Sequence, residues 1–172
     1  MSPGPSLGLR RAKRLAEPVR RLLARRNTIA GTGTGTRSLD VIATLACASF
    51  PIRVKFTPDG KRVLVSNART GDVVVFDARK REELRRIKME VTAVEKRDER
   101  LFGDKFGECL VPVGILIPAD GGQAYVANTN ADIITVIDLK SLEITARLRA
   151  GKEPDGLGFT PLDLRQNAPR GK

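Results

Sequence analysis

Two segments of the chain align with each other over their whole length without a gap: Pro51 to Met89, PIRVKFTPDGKRVLVSNARTGDVVVFDARKREELRRIKM, and Pro112 to Ala150, PVGILIPADGGQAYVANTNADIITVIDLKSLEITARLRA. Pro51 matches Pro112, Asp59-Gly60 matches Asp120-Gly121, and Val65, Asn67 and Asp77 match Val126, Asn128 and Asp138, all 61 residues apart. Agreement at so many turn and strand positions marks an internal duplication. It restricts the chain to architectures in which each copy is one supersecondary unit stacked on the next. Pro154, Phe159 and Pro161 repeat the pattern of Pro51, Phe56 and Pro58, and Pro154 follows Pro112 by 42 residues, which is the period. Ser38 to Pro51 overlays Ser141 to Pro154, placing the end of a further copy upstream. The 19 residues by which 61 exceeds 42 fall in EVTAVEKRDERLFGDKFGECLV, a polar stretch that reads as an insertion with a solvated charged run.

Within a copy, four short runs of strand-forming residues are separated by turn signals, as in GILIP, QAYVAN, DIITVID and LEITARL. Each unit is therefore a four-stranded meander. The Asp-Gly pairs fall between the first and second runs, where a tight hairpin needs residues that tolerate positive φ. The third run, Ile133-Ile134-Thr135-Val136-Ile137, with its counterpart Val73-Val74-Val75-Phe76, is apolar where alternation would have marked one wet face. Four strands in a period near 40, dry on both faces, suit radial stacking, because each sheet then has a neighbour on either side. The expected fold class is all-β, an incomplete β-propeller of four-stranded antiparallel blades.

The residues that carry the repeat also resemble a family. AYVANTNADIITVIDLKSLEITARLRAG is similar to the YVTN β-propeller repeat, in which a Tyr-Val-x-Asn strand precedes a Val-Ile-Asp strand; Tyr125, Val126, Asn128, Val136, Ile137 and Asp138 carry the match. The first copy departs from it with Leu64-Val65-Ser66-Asn67 and Val75-Phe76-Asp77. The resemblance implies a binding or scaffold protein, and relatives of this kind are often exported to the periplasm or beyond the cell. No apolar signal-peptide core follows the basic N-terminus, so a cytoplasmic location is the default reading of the residues themselves. No stretch approaches the roughly 18 consecutive apolar residues of a membrane-spanning helix.

The organisation read from these signals is a basic arm over residues 1–27, a Gly/Thr linker over 28–37 and a partial propeller over 38–161, followed by a polar tail over 162–172. Within the propeller, 38–50 end one blade, 51–89 form a full blade, 90–111 are inserted, 112–150 form a second full blade and 151–161 supply the first strand of the next. Two full repeats do not close a ring, which typically needs about four to eight blades. The PDGLGFTPL segment would suit a last strand that completes a first blade. The chain is therefore expected to be the C-terminal portion of a longer propeller or a self-associating subunit, with a protein partner or a second copy covering its apolar end faces.

Of the formal net charge of +11, +7 lies in residues 1–27, leaving the repeat region nearly balanced. Between Arg11 and Arg26 the apolar residues Ala12, Leu15, Ala16, Val19, Leu22 and Leu23 have helical spacing, so a cationic amphipathic arm is expected, broken in the middle by Pro18. Such an arm could meet an anionic membrane surface or nucleic acid, but no aromatic residue precedes Phe50, which disfavours base stacking.

The sequence contains no His, which removes the commonest general base and metal ligand. Cys47 and Cys109 lie in apolar contexts, LACAS and GECLV, and read as small core fillers. No catalytic residue, cofactor or metal is expected. The favoured reading is a non-enzymatic scaffold whose binding rim is made by turns at one end of the blades: Asn67 and Arg69 in one, Asn128, Thr129 and Asn130 in the next, and Lys152, Glu153 and Asp155 beyond. The alternative is a fragment of a propeller enzyme, lactonase-like or a cofactor-dependent dehydrogenase.

Overall fold

The computed structural model describes residues 21–25, 28–32, 41–90, 92 and 109–160. Among the described residues, eleven strands make three antiparallel sheets: β1 (Arg21–Arg25), β2 (Thr28–Thr32) and β3 (Val41–Ala46); β4 (Pro51–Phe56), β5 (Arg62–Asn67), β6 (Asp72–Asp77) and β7 (Glu82–Lys88); β8 (Pro112–Leu116), β9 (Gln123–Asn128), β10 (Ile133–Asp138) and β11 (Glu143–Arg149). The two complete sheets are simple meanders, each strand paired with its neighbours in sequence.

The turns follow from their residues. Asp59 Oδ1 accepts from Thr57 Oγ1 at 2.6 Å and from the Lys61 amide at 3.0 Å, while Gly60 sits at φ +68°. Asp120 and Gly121 repeat the device, with Gly121 at φ +67°. At the β6–β7 and β10–β11 turns, Asp77 Oδ1 accepts from the amides of Arg79 and Lys80 at 2.8 and 2.7 Å, and Asp138 Oδ1 from those of Lys140 and Ser141 at 3.0 and 2.7 Å. A short acceptor that bonds the backbone two or three residues on is the reason Asp recurs at this point of the period.

The middle sheet is dry on both sides. Leu64, Val73 and Val75 point to one face and pack with Ile115, Val126, Ile133 and Ile137 of the β8–β11 sheet. Val63, Val65, Val74 and Phe76 point to the other and pack with Val54, Phe56, Leu45 and Cys47, reaching β3. The two-sided apolar runs thus do what radial stacking requires, and burial of side chains such as Leu64 and Ile137 contributes about 1.5–3 kcal/mol each.

A backbone irregularity shows how regular the repeat is. The β6–β7 pairing shifts register between Val75 and Phe76, and the β10–β11 pairing between Val136 and Ile137, 61 residues on. The β2–β3 pairing shifts between Gly31 and Thr32, at the equivalent rung. The sheet β1–β2–β3 therefore holds the second, third and fourth strands of a blade. This corrects the expected N-terminal organisation: strands stand at Arg21–Arg25 and Thr28–Thr32, where helical spacing and a Gly/Thr linker had been read. A pairing edge along β3 satisfies the backbone of residues 28–32 more completely than an isolated coil can, and tertiary pairing overrides local periodicity. The rest of the arm, residues 1–20, most of the insertion and the tail from 161 onward lie outside the described residues. Residues 150–160 join no sheet.

Candidate functional site

Two ends of the stacked sheets can present residues. One carries the β5–β6 and β9–β10 turns together with the segments that lead into β4 and β8 and out of β7 and β11. The other carries the β4–β5, β6–β7, β8–β9 and β10–β11 turns. The expected rim lies at the first end.

Several of the expected rim residues hold the fold from inside it. Asn67 is fully buried, and its Nδ2 donates to Asp72 Oδ1 at 2.7 Å across the β5–β6 turn. Asp72 is itself buried and paired with Arg86 of β7 at 3.2 Å, so one polar ladder ties three strands together. Asn128 is fully buried too, its Nδ2 donating to Thr135 Oγ1 at 2.9 Å and to the Val126 carbonyl at 3.0 Å. Asn130 is buried and donates to the Cys109 carbonyl at 3.0 Å, clamping the chain that enters β8. Asn67, Asn128 and Asn130 are thus buried, their Nδ2 groups bonding the protein's own backbone and side chains, while Oδ1 of Asn67 and Oδ1 of Asn128 are buried without a hydrogen-bond partner among the described residues.

The remaining candidates lie at the surface. Arg69 is exposed in the β5–β6 turn, and Lys152, Glu153 and Asp155 are exposed beyond β11. Thr129 Oγ1 donates to the Pro154 carbonyl at 3.0 Å, and the Glu153 amide donates to Asp132 Oδ1 at 3.0 Å. The segment after β11 is thereby held against the β9–β10 turn. Asp155 then reaches Arg53 of β4 at 3.5 Å, with both side chains about half exposed, and passes so close to Gly114 that a Cβ there would stand 1.8 Å from the Asp155 carbonyl oxygen. Exposed pairs of this kind contribute little to stability and leave the charges available to solvent.

Cys109 was missed as a rim residue. It is half-buried, with Sγ 3.3 Å from the Ala68 carbonyl, and joins the β5–β6 turn to the strand entering β8. Burial pushes its thiol pKa up, which makes it a poor nucleophile. Its apolar neighbours in sequence gave no signal of this position. Cys47 packs beside the Val63, Val65 and Phe76 cluster as a small core residue.

The opposite end has a cleft of about 730 Å³ between the two complete sheets, bounded by Asp59, Lys61, Arg62, Asp120, Asp138 and Lys140 among others. Arg62 crosses it to donate to the Leu139 carbonyl. Asp59 is held below the ordinary carboxylate range by the Thr57 hydroxyl and the Lys61 amide, and Asp138 by the Ser141 amide and hydroxyl. Sequence reasoning treated these as turn formers in separate units, and their convergence arises only when the sheets stack. Among the described residues, no three His, Cys, Asp or Glu side chains are grouped to hold a metal ion, and no helix is long and apolar enough to cross a membrane.

Sheets of four antiparallel strands stacked face to face, with inner strands β4 and β8 side by side, define an all-β partial β-propeller. Solved structures agree. The chain is similar to Kuenenia stuttgartiensis hydrazine synthase, at 21% identity and a TM-score of 0.53, with 76% of this chain and 30% of that one covered. It is similar to a candidate 6-phosphogluconolactonase from Bacteroides uniformis, at 15% identity and a TM-score of 0.57, covering 78% and 38%. It is also similar to the RRP9 WD40 repeats, at 12% identity and a TM-score of 0.57, covering 76% and 34%. The chain spans about a third of the length of these structures, and identities this low speak to fold alone. Comparison with family models and with curated protein sequences finds no match.

Proposed function

We propose that this chain is a non-enzymatic binding module on a partial propeller of the YVTN type, and that the surface charges Arg69, Lys152, Glu153 and Asp155 form its binding rim. The observation that carries this reading is the division of labour at that end: the turn amides are buried in structural bonds, while charged side chains from successive blades stay exposed. Loops held on a rigid scaffold are where recognition residues concentrate. The carboxylates of the other end support the same reading. Asp59 and Asp138 are stabilised as anions by their own turns, which weakens them as proton acceptors near neutral pH.

The test is a display screen of random peptides against the immobilised full-length chain, followed by titration of a selected peptide. Arg69→Glu and Lys152→Glu are expected to weaken binding on the order of tenfold each, about 1.4 kcal/mol, with Lys61→Glu at the opposite end without effect. Sensitivity to Lys61→Glu alone would move the site to the other end. Hydrolysis of a lactone panel by the chain would favour the enzymatic reading.

A further inference from the structure

We infer that the cleft between the two complete sheets is a second binding site, separate from the rim, and that it takes a small neutral saccharide. The inference does not depend on what the rim binds.

One difference between the two copies keeps the cleft open. Lys61 follows the Asp-Gly turn of the first copy, and Gly122 stands in its place 61 residues on. The backbone does not ask for glycine there. Gly121 has positive φ and Gly122 does not, and a Cβ built on Gly122 meets only Asp120 Oδ1, 3.9 Å away. Neither strain nor crowding accounts for the missing side chain, and its absence clears one wall of the cleft. The β4–β5 turn closes in from the neighbouring sheet, with Pro58 Cδ 3.4 Å from where a Gly121 Cβ would stand, and Arg62 ties the two units together at the Leu139 carbonyl. The enclosed space of about 730 Å³ is the size of a small-molecule site, which typically spans about 300–1,000 Å³.

The charges choose among ligands. Asp59, Asp120 and Asp138 line the cleft together with Lys61, Arg62 and Lys140, so carboxylates and cations balance. An anion would meet the three carboxylates and a cation the three basic groups, and neither gains a complementary field. Bonding capacity nonetheless remains on both kinds of group. Among the described residues the Lys140 ammonium has no ion-pair partner, and Arg62 spends one of its five N–H donors on Leu139. Asp138 Oδ1 takes the Lys140 amide and both donors of Ser141, which leaves Oδ2, and Asp120 Oδ1 accepts from the Gly122 amide at 3.1 Å.

A hydroxyl both donates and accepts, so two neighbouring hydroxyls on one ring can donate to a carboxylate and accept from a cation at once. A neutral molecule dense in hydroxyls is a saccharide. Pro58, Ala119 and Leu139 supply apolar surface for the C–H face of a sugar ring, and no lining residue is an aromatic anchor of the kind that dominates recognition of peptides and proteins.

The test is titration of the full chain, by ligand-observed NMR and calorimetry, with glucose, galactose, mannose, maltose, cellobiose and lactose, and with gluconate and glucosamine as charged counterparts. At least one neutral sugar is expected to bind, and gluconate and glucosamine to bind on the order of tenfold more weakly than the best of them. Gly122→Lys, which copies the first unit, is expected to abolish binding with the urea midpoint unchanged. Lys140→Met and Asp120→Asn, which keep the turn backbone and the Asp120 acceptor, are expected to weaken it by about three- to tenfold each, and they carry the test if Gly122→Lys fails to fold. Arg69→Glu and Lys152→Glu at the rim should leave sugar binding intact, which separates the fate of this site from that of the rim. No binding by any neutral sugar, tighter binding of gluconate or glucosamine, binding that survives the cleft substitutions, or loss caused by the rim substitutions would each overturn the inference.

Discussion

Two glycines with the same backbone conformation separate strain from crowding. Gly60 has φ +68° with nothing within 4 Å of a Cβ built on it, whereas Gly71 has φ +63° and such a Cβ would lie 2.7 Å from the Cys109 Cβ. In Gly60→Ala the cost is the left-handed conformation alone, about 1–2 kcal/mol. In Gly71→Ala the same cost is joined by an overpacking contact worth about 1–3 kcal/mol, because Cys109 is held by Ala68 and by Asn130 and cannot retreat freely. The expected losses are therefore about 1–2 and about 2–5 kcal/mol, read as midpoint shifts in urea unfolding at constant slope. Removing the offending Cβ with Cys109→Gly in the Gly71→Ala background should narrow the gap between the two. Equal losses at Gly60 and Gly71, or a Cys109→Gly change that only adds to the damage, would refute the reasoning.

The inter-blade core gives a second contrast: Ile137→Ala, at a fully buried position, should cost about 2–5 kcal/mol by thermal or urea unfolding, and Leu84→Ala, 44% exposed, close to nothing. Arg86→Ala leaves Asp72 buried with only Asn67 as a side-chain partner and should cost about 1.5–3 kcal/mol, a loss that Asp72→Asn in the same chain partly reverses. The pH dependence has a definite sign. Because the folded pKa values of Asp59 and Asp138 lie below the ordinary value, their stabilisation is complete above that value, near pH 4, and is lost as the pH falls through the lowered ones. Asp138→Asn should flatten that acid limb, and an unchanged limb would remove Asp138 from the account.

The blades were legible because their signals are local and doubled. Asp-Gly pairs, an Asp closing the third strand and apolar runs without alternation all recur at the same spacing, so each confirmed the reading of the other. Strands β1 and β2 were not legible, since Leu22 and Leu23 sit at helical spacing among arginines, and β1 becomes a strand only by pairing with β2, which in turn pairs with β3. The rim was legible as a place but not residue by residue. Asn67, Asn128 and Asn130 look like surface turn residues in sequence, and only the packed sheets reveal that their amides face Asp72, Thr135 and Cys109. The cleft near Asp59 and Asp138 was invisible for a related reason: its walls come from two units, and spacing within one unit says nothing of their meeting.

Adjacent residues of one strand test the central claim, that a sheet apolar on both faces is sandwiched between two others. Val74→Cys and Val75→Cys, each made with Cys47→Ser and Cys109→Ser, place a thiol on opposite faces of β6, and both valines are fully buried. Both thiols should resist a thiol reagent until the protein unfolds, while a Leu84→Cys control on β7 labels at once. Rapid labelling at either position 74 or 75 in the folded protein would mean a wet face, and would contradict the stacked arrangement.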